Sequence, residues 1–120
     1  MAILPAERRF AGRIFVLIGG RNTSTAGHVI SLLKQQGRVV LIGQDSGATF
    51  TCNDNSRDLT LPTTGIRVHI ARTTYRAAVT GLPAGVGFQP DREVRRTVED
   101  MFAGRDPELE LARRLIREEI

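Results

Sequence analysis

The chain has 120 residues, 41% of them hydrophobic, with 17 lysines and arginines against 13 aspartates and glutamates. That length fits one domain or a part of one, and no run of about eighteen apolar residues offers a membrane span. A single cysteine, Cys52, excludes an internal disulfide and a cysteine-based metal site.

The net charge of +4 is carried by sixteen arginines and one lysine, Lys34. The arginines are spread along the chain, and beyond Pro90 they alternate with Asp91, Glu93, Glu99, Asp100, Asp106, Glu108 and Glu110. Interleaved signs describe solvated helix faces with local ion pairs. Aromatic content of 5%, without tryptophan, gives no stacking platform for bases, so nucleic acid is not an expected partner. The start, Met1 to Arg9, lacks the basic-then-apolar order of a secretion signal, and the compartment is not legible.

Ile14-Phe15-Val16-Leu17-Ile18 is an unbroken apolar run, the mark of a strand covered on both faces. Gly19-Gly20 end it and Arg21 to Ser24 form a polar turn. Ala26, Val29, Ile30 and Leu33 then recur at helical spacing, which predicts a helix from Ser24 to Gln36 with Gly37 as its C′ residue. Serine at such a junction is commonly just an N-cap. The same junction also sets a hydroxyl at the carboxyl end of a strand, beside the unpaired amides of a helix start. Enzymes of α/β architecture often expose a nucleophile in this way. On the residues alone, both readings of Ser24 stand.

Val39 to Ile42, closed by Gly43, is a second buried strand. Strand, helix and strand joined by short links predict a βαβ unit with parallel strands. In parallel sheets function gathers beyond the carboxyl ends. The loops 19–24 and 43–49 share that edge, so Asp45 is placed near Ser24, either to orient a histidine from elsewhere or simply as a turn residue. Thr49 to Cys52 reads as a short strand with Cys52 a small buried hydrophobe, and Asn53 to Ser56 as a turn. Leu59–Leu61 and Ile66–Ile70 form a hairpin around Pro62-Thr63-Thr64-Gly65. Ile66 to Ile70 alternates with period two, which predicts one buried face and His69 on the wet one. The segment 81–90 is irregular. Asp91 is read as the cap of a helix carrying Val94, Val98, Met101 and Phe102 on one stripe and ended by Gly104. Asp106-Pro107 opens a last helix with Leu109, Ala112 and Ile116 among its apolar positions. No set of residues has metal-ligand spacing.

In this order, the segments Gly12 to Gly20, Asn22-Thr23-Ser24-Thr25-Ala26, Val39 to Gly47, Leu59 to Val68, Gly87 to Val94 and Gly104 to Leu109 carry a family pattern. They resemble the later part of the catalytic domain of tail-specific (C-terminal-processing) serine peptidases, with the tricorn-core and interphotoreceptor retinoid-binding protein relatives. The resemblance implies an α/β fold of crotonase-like or ClpP-like stacked ββα units. This chain would be a single partial domain, the later half, with a βαβ core, a β-hairpin and C-terminal helices. A peptide or protein substrate is implied, with no cofactor. The family's nucleophile falls on Ser24, which would form an acyl-enzyme, and the backbone amide of Thr25 becomes an oxyanion donor.

Serine–lysine members carry a lysine in the loop after the second strand. Here that loop holds Gln44, Asp45, Ser46 and Thr49, and Lys34 lies in the preceding helix, so no such dyad is expected. Tricorn-type relatives take a histidine from an upstream segment, which is expected to lie outside these residues. His28 sits one turn beyond Ser24 as an accessory candidate base, although i, i+4 helix neighbours are rarely aimed for proton transfer. The expectation is a serine endopeptidase fragment that acts through Ser24 in its full-length parent and is inactive alone. The alternative is a non-catalytic binding or assembly module of the same fold, taking an apolar ligand or a protein partner. Missing upstream strands would leave sheet edge and apolar surface open, so a homo-oligomer is expected.

Overall fold

The computed structural model describes residues 6–118, so the leader reading at Met1–Pro5 lies outside them. The first apolar run forms strand β1 (Ile14–Ile18), followed by helix α1 (Thr25–Gln35) and strand β2 (Val39–Gly43). β1 and β2 are parallel, with Ile14 opposite Val39 and Ile18 opposite Gly43. The expected βαβ unit is therefore present. Gly37 has φ 66 and its N–H donates to the Lys34 carbonyl at 3.0 Å, closing α1 as the C′ position requires.

The remaining elements are β3 (Thr51–Asp54), β4 (Arg57–Thr60), β5 (Arg67–Ile70), β6 (Thr73–Arg76), β7 (Arg92–Glu93), α2 (Val98–Phe102) and α3 (Pro107–Glu118). β7 adds to β2 in parallel, giving a three-stranded sheet of order β1-β2-β7. β2 is central, which explains why Leu41 and Ile42 are fully buried. The core joins Ile18, Ile30, Leu41, Phe50, Ala77 and Phe88, flanked by half-buried Val16, Val39, Val79 and Leu82. Helix α3 lies against β1 and β2, with Ala112 buried.

Two polar groups inside this core are paired. Ser31, fully buried on α1, donates its hydroxyl to the His28 carbonyl at 2.7 Å. Ser46 donates to the Ala48 carbonyl at 2.7 Å and accepts from the Phe88 amide at 2.9 Å, tying the loop after β2 to the segment before β7.

Four expectations need correction. First, Asp91 does not cap a helix. Its amide donates to the Leu41 carbonyl and its Oδ2 accepts from the Leu41 amide, both at 2.8 Å. These bonds draw the chain along β2 as β7, and Val94 continues the pairing through Gly43. The helix starts only at Val98, where Thr97 and Asp100 form a capping box. Second, the stripe of Val98, Met101 and Phe102 faces solvent, and Phe102 is 90% exposed. With five residues, α2 is too short to present an inward stripe.

Third, the strand at Thr49 to Cys52 lies further along, at Thr51–Asp54, and pairs with a strand the sequence reading lacked. β3 and β6 are antiparallel with Cys52 opposite Tyr75, and β4 and β5 continue them with Leu59 opposite Val68. The result is one long ribbon with an irregularity at Asn55, whose φ is 53. Fourth, the hairpin has no buried face. Leu59, Leu61, Ile66 and Ile70 are all exposed, and only Val68 is half-buried. The projecting ribbon helps give a radius of gyration of 18.5 Å, against roughly 14 Å for a compact domain of this length. His69 is on the wet side as expected, 2.7 Å from Asp58 through Nδ1.

The corner between α2 and α3 has a pH signature. The Thr97 backbone amide, then Arg105, hold the Asp100 carboxyl below its ordinary value of 3.8. The Leu109 amide, with help from Arg96, does the same for Asp106. Carboxyls depressed by folding contribute stability above the unfolded value and lose it as pH falls through the folded one. Amide exchange of Asp100 and Leu109 is therefore expected to speed up as pH drops below 3.8, after correction for intrinsic rates. Unchanged protection there would contradict it.

Candidate active site

The turn between β1 and α1 is built by its own polar groups. The Asn22 amide donates to the Gly19 carbonyl at 2.9 Å, and Asn22 Oδ1 accepts from the Gly19 amide at 2.7 Å. The chain then enters α1 through Ser24, whose φ of 54 and ψ of −124 put a non-glycine residue in a region that side chains resist. Such conformations cost on the order of 1–3 kcal/mol and persist only where surrounding bonds enforce them. Here the enforcing bonds run from Ala26 to the Thr23 carbonyl and from Gly27 to the Ser24 carbonyl, at 3.1 and 2.9 Å.

The Ser24 side chain makes no capping hydrogen bond and is exposed. The N-cap position is thus occupied without the hydroxyl being used for it. Among the described residues the Thr25 amide, at the first helical position, has no acceptor. A strained serine, a hydroxyl not used for capping and a free amide beside it together form a strand-to-helix elbow.

Two residues that the sequence reading did not assign to the site lie at this elbow. The Cys52 thiol, on β3, donates to Ser24 Oγ at 3.5 Å and is 3.3 Å from the Asn53 carbonyl oxygen. Cys52 is half-buried, so its reading as a buried hydrophobe is corrected: its sulfur faces a hydroxyl. Tyr75 stands opposite Cys52 across the ribbon, and its ring centroid is 5.5 Å from that of His28, tilted by 39°. Burial first, and then Cys52, push the Tyr75 phenol above its ordinary value, so it stays protonated at neutral pH. Only the run Thr73-Thr74-Tyr75, favourable for a strand, could have signalled β6 in the sequence.

His28 lies one turn beyond Ser24, but its ring packs on Tyr75. Asp45 lies in the loop after β2, which does adjoin the elbow. The Gln44 amide donates to the Ile18 carbonyl at 3.0 Å, and Gly47 sits against the carbonyls of Gly20 and Asn22. Asp45 itself lines a cleft of about 590 Å³ with Gly20, Gln44, Gln89, Glu93 and Arg95. Glu93, 2.7 Å from Arg95, and secondarily Asp45 raise the pKa of that guanidinium. Among the described residues no hydrogen bond joins Ser24, His28 and Asp45 to one another. Lys34 is 3.5 Å from Asp91, on the sheet side of α1. No helix among the described residues is long and apolar enough to cross a membrane.

The architecture is thus a mixed α/β one in which a parallel βαβ unit presents a serine at the carboxyl edge of its sheet. The model of peptidase family S41 matches residues 3–94, and the chain belongs to that family. Membership brings a serine-peptidase type of function and a peptide or protein as substrate. It agrees with the resemblance to C-terminal-processing peptidases without singling out the tricorn or retinoid-binding branch. No match is found among curated proteins.

Proposed function

We propose that Ser24 is the nucleophile of a serine endopeptidase, and that residues 1–120 are the nucleophile-bearing part of its catalytic domain. The observation that carries this is the backbone of Ser24, held at φ 54 with its hydroxyl free of any capping role. Attack of Oγ on a peptide carbonyl gives a tetrahedral oxyanion and then an acyl-enzyme. The Thr25 amide is one donor for that oxyanion. The proton of Ser24 goes to a base supplied from beyond the elbow cluster, since the His28 ring is engaged with Tyr75. Asp45, at the cleft edge, is the residue to orient such a base. The complete domain takes the crotonase-like stacked form, with the three-stranded sheet as part of it. A fluorophosphonate probe applied to the full-length protein is expected to label Ser24, as read by peptide mapping. Labelling elsewhere, or none, would refute the assignment.

A second reading, an assembly module of the same fold, draws on the exposed Leu59, Leu61, Ile66 and Ile70 of the ribbon and on Met101 and Phe102 of α2. Apolar surface of this kind is commonly covered by a partner. Both readings predict a homo-oligomer, and a monomer in sedimentation at high concentration would contradict that. An oligomer that the probe leaves unlabelled would favour the second.

A further inference from the structure

The segment 80–89 arches beside the end of α1 and is pinned at both feet. The Thr80 amide donates to Gln35 Oε1 at 2.9 Å, and Gln35 Nε2 donates to Thr80 Oγ1 at 3.3 Å. At the other foot the Ser46 amide donates to the Phe88 carbonyl at 3.0 Å, and the Phe88 amide donates back to Ser46 Oγ at 2.9 Å. Between the feet, Gly81 and Gly85 take φ values of 72 and 74, which bend the chain out and back. The arch leaves a cavity of about 250 Å³ between itself and α1. Leu82, Pro83, Val86 and Phe88 give it apolar walls, and Lys34 and Gln89 are its polar side chains. We propose that this cavity binds a small carboxylic acid with an apolar body, its chain against Leu82 and Phe88 and its carboxylate at Lys34. None of these residues belongs to the Ser24 elbow, and the inference does not rest on the nucleophile assignment.

The walls and the head group each select part of the ligand. Sites for small molecules are mainly apolar, with a few polar groups that fix orientation. An apolar cavity of about 150 Å³ already holds benzene, so this one has room for a chain of about six carbons. The head group follows from Lys34. An ammonium carries three donors, and among the described residues Lys34 meets one acceptor, Asp91 Oδ1, at 3.5 Å. The other oxygen of Asp91 accepts from the Leu41 amide, which keeps that carboxylate from closing on the ammonium. Two donors of Lys34 are left for an incoming carboxylate. The side-chain amide of Gln89, which makes no hydrogen bond among the described residues, offers another. Lys34 has its side chain 33% exposed, so a charge-assisted bond there is less screened than one on the open surface. Asp91 opposes a second anion, and the expected affinity is therefore only roughly millimolar.

The test is a titration of the isotope-labelled full-length protein with acetate, butanoate, hexanoate and 1-hexanol. The amide signals of Ser46, Phe88 and Gln89 report both where each probe binds and how tightly. Affinity should rise about fourfold per methylene from acetate to hexanoate, and hexanol should bind about tenfold more weakly than hexanoate. Lys34→Met should weaken hexanoate about tenfold and leave hexanol unchanged, while Lys34→Arg keeps most of the affinity. Val86→Asp, at a residue 51% exposed, adds a like charge at the rim and should also weaken hexanoate. Thermal midpoints near the parent's show that these variants are folded. Hexanoate no tighter than acetate, or hexanol equal to hexanoate, would overturn the proposal. So would a Lys34→Met variant that binds hexanoate like the parent, or shifts that leave Ser46, Phe88 and Gln89 unmoved.

Discussion

Replacing Ser24 by alanine is expected to abolish probe labelling and to lower peptide turnover by several orders of magnitude. Removal of a nucleophilic serine leaves only what binding and oxyanion contacts supply, and losses on the order of 10⁴ to 10⁶ are typical. The backbone makes a second, independent claim. Alanine at φ 54 keeps the strain that serine bears, whereas glycine relieves it. Relief on the order of 1–3 kcal/mol, less roughly 0.5–1 kcal/mol for the added freedom of glycine, leaves a net gain of about 1 kcal/mol. Ser24→Gly should therefore be dead but more resistant to urea than both the parent and Ser24→Ala. An equally fragile Ser24→Gly would mean that the elbow stores no strain, and an active Ser24→Ala would end the nucleophile assignment.

Gly47→Ala is expected to damage stability and site together. A Cβ at Gly47 runs into the backbone carbonyls of Gly20 and Asn22, which belong to the turn that sets Ser24. Backbone oxygens cannot swing aside as the end of a flexible side chain can, so the turn itself must move. Overpacking of this kind costs about 1–3 kcal/mol. A displacement of about 1 Å at a catalytic group can lower its rate about a hundredfold. The matched control is Gly19→Ala, where an added Cβ meets nothing within 4 Å. Denaturation curves of the two variants should differ by at least 1 kcal/mol, and equal curves would refute the account of the close approach.

The βαβ unit was legible because burial on both faces writes unbroken apolar runs, and Gly37 and Gly43 mark where those runs and the helix stop. The elbow was legible as a junction but not as a conformation. Sequence cannot distinguish a serine that caps from one whose φ is forced positive, since both precede a helix. Asp91 misled because aspartate before a helical stripe is a capping signal. Its long-range bonds to Leu41, fifty residues away, decided the matter. Cys52 and Tyr75 were illegible as neighbours of Ser24, because their meeting depends on the register of a ribbon whose second strand has only four residues. The alternation at Ile66 to Ile70 marked a strand correctly, yet period two alone does not say that anything covers its apolar side.

That uncovered ribbon sets how the chain answers to denaturant and heat. Both the urea slope and the heat-capacity increment of unfolding scale with the surface newly exposed. A chain whose Leu59, Leu61, Ile66 and Ile70 already meet water in the native state has less left to expose. As a single copy it is expected to melt over a broad range, with a shallow urea slope for its 120 residues. Association that covered the ribbon would sharpen the transition and make its midpoint rise with concentration.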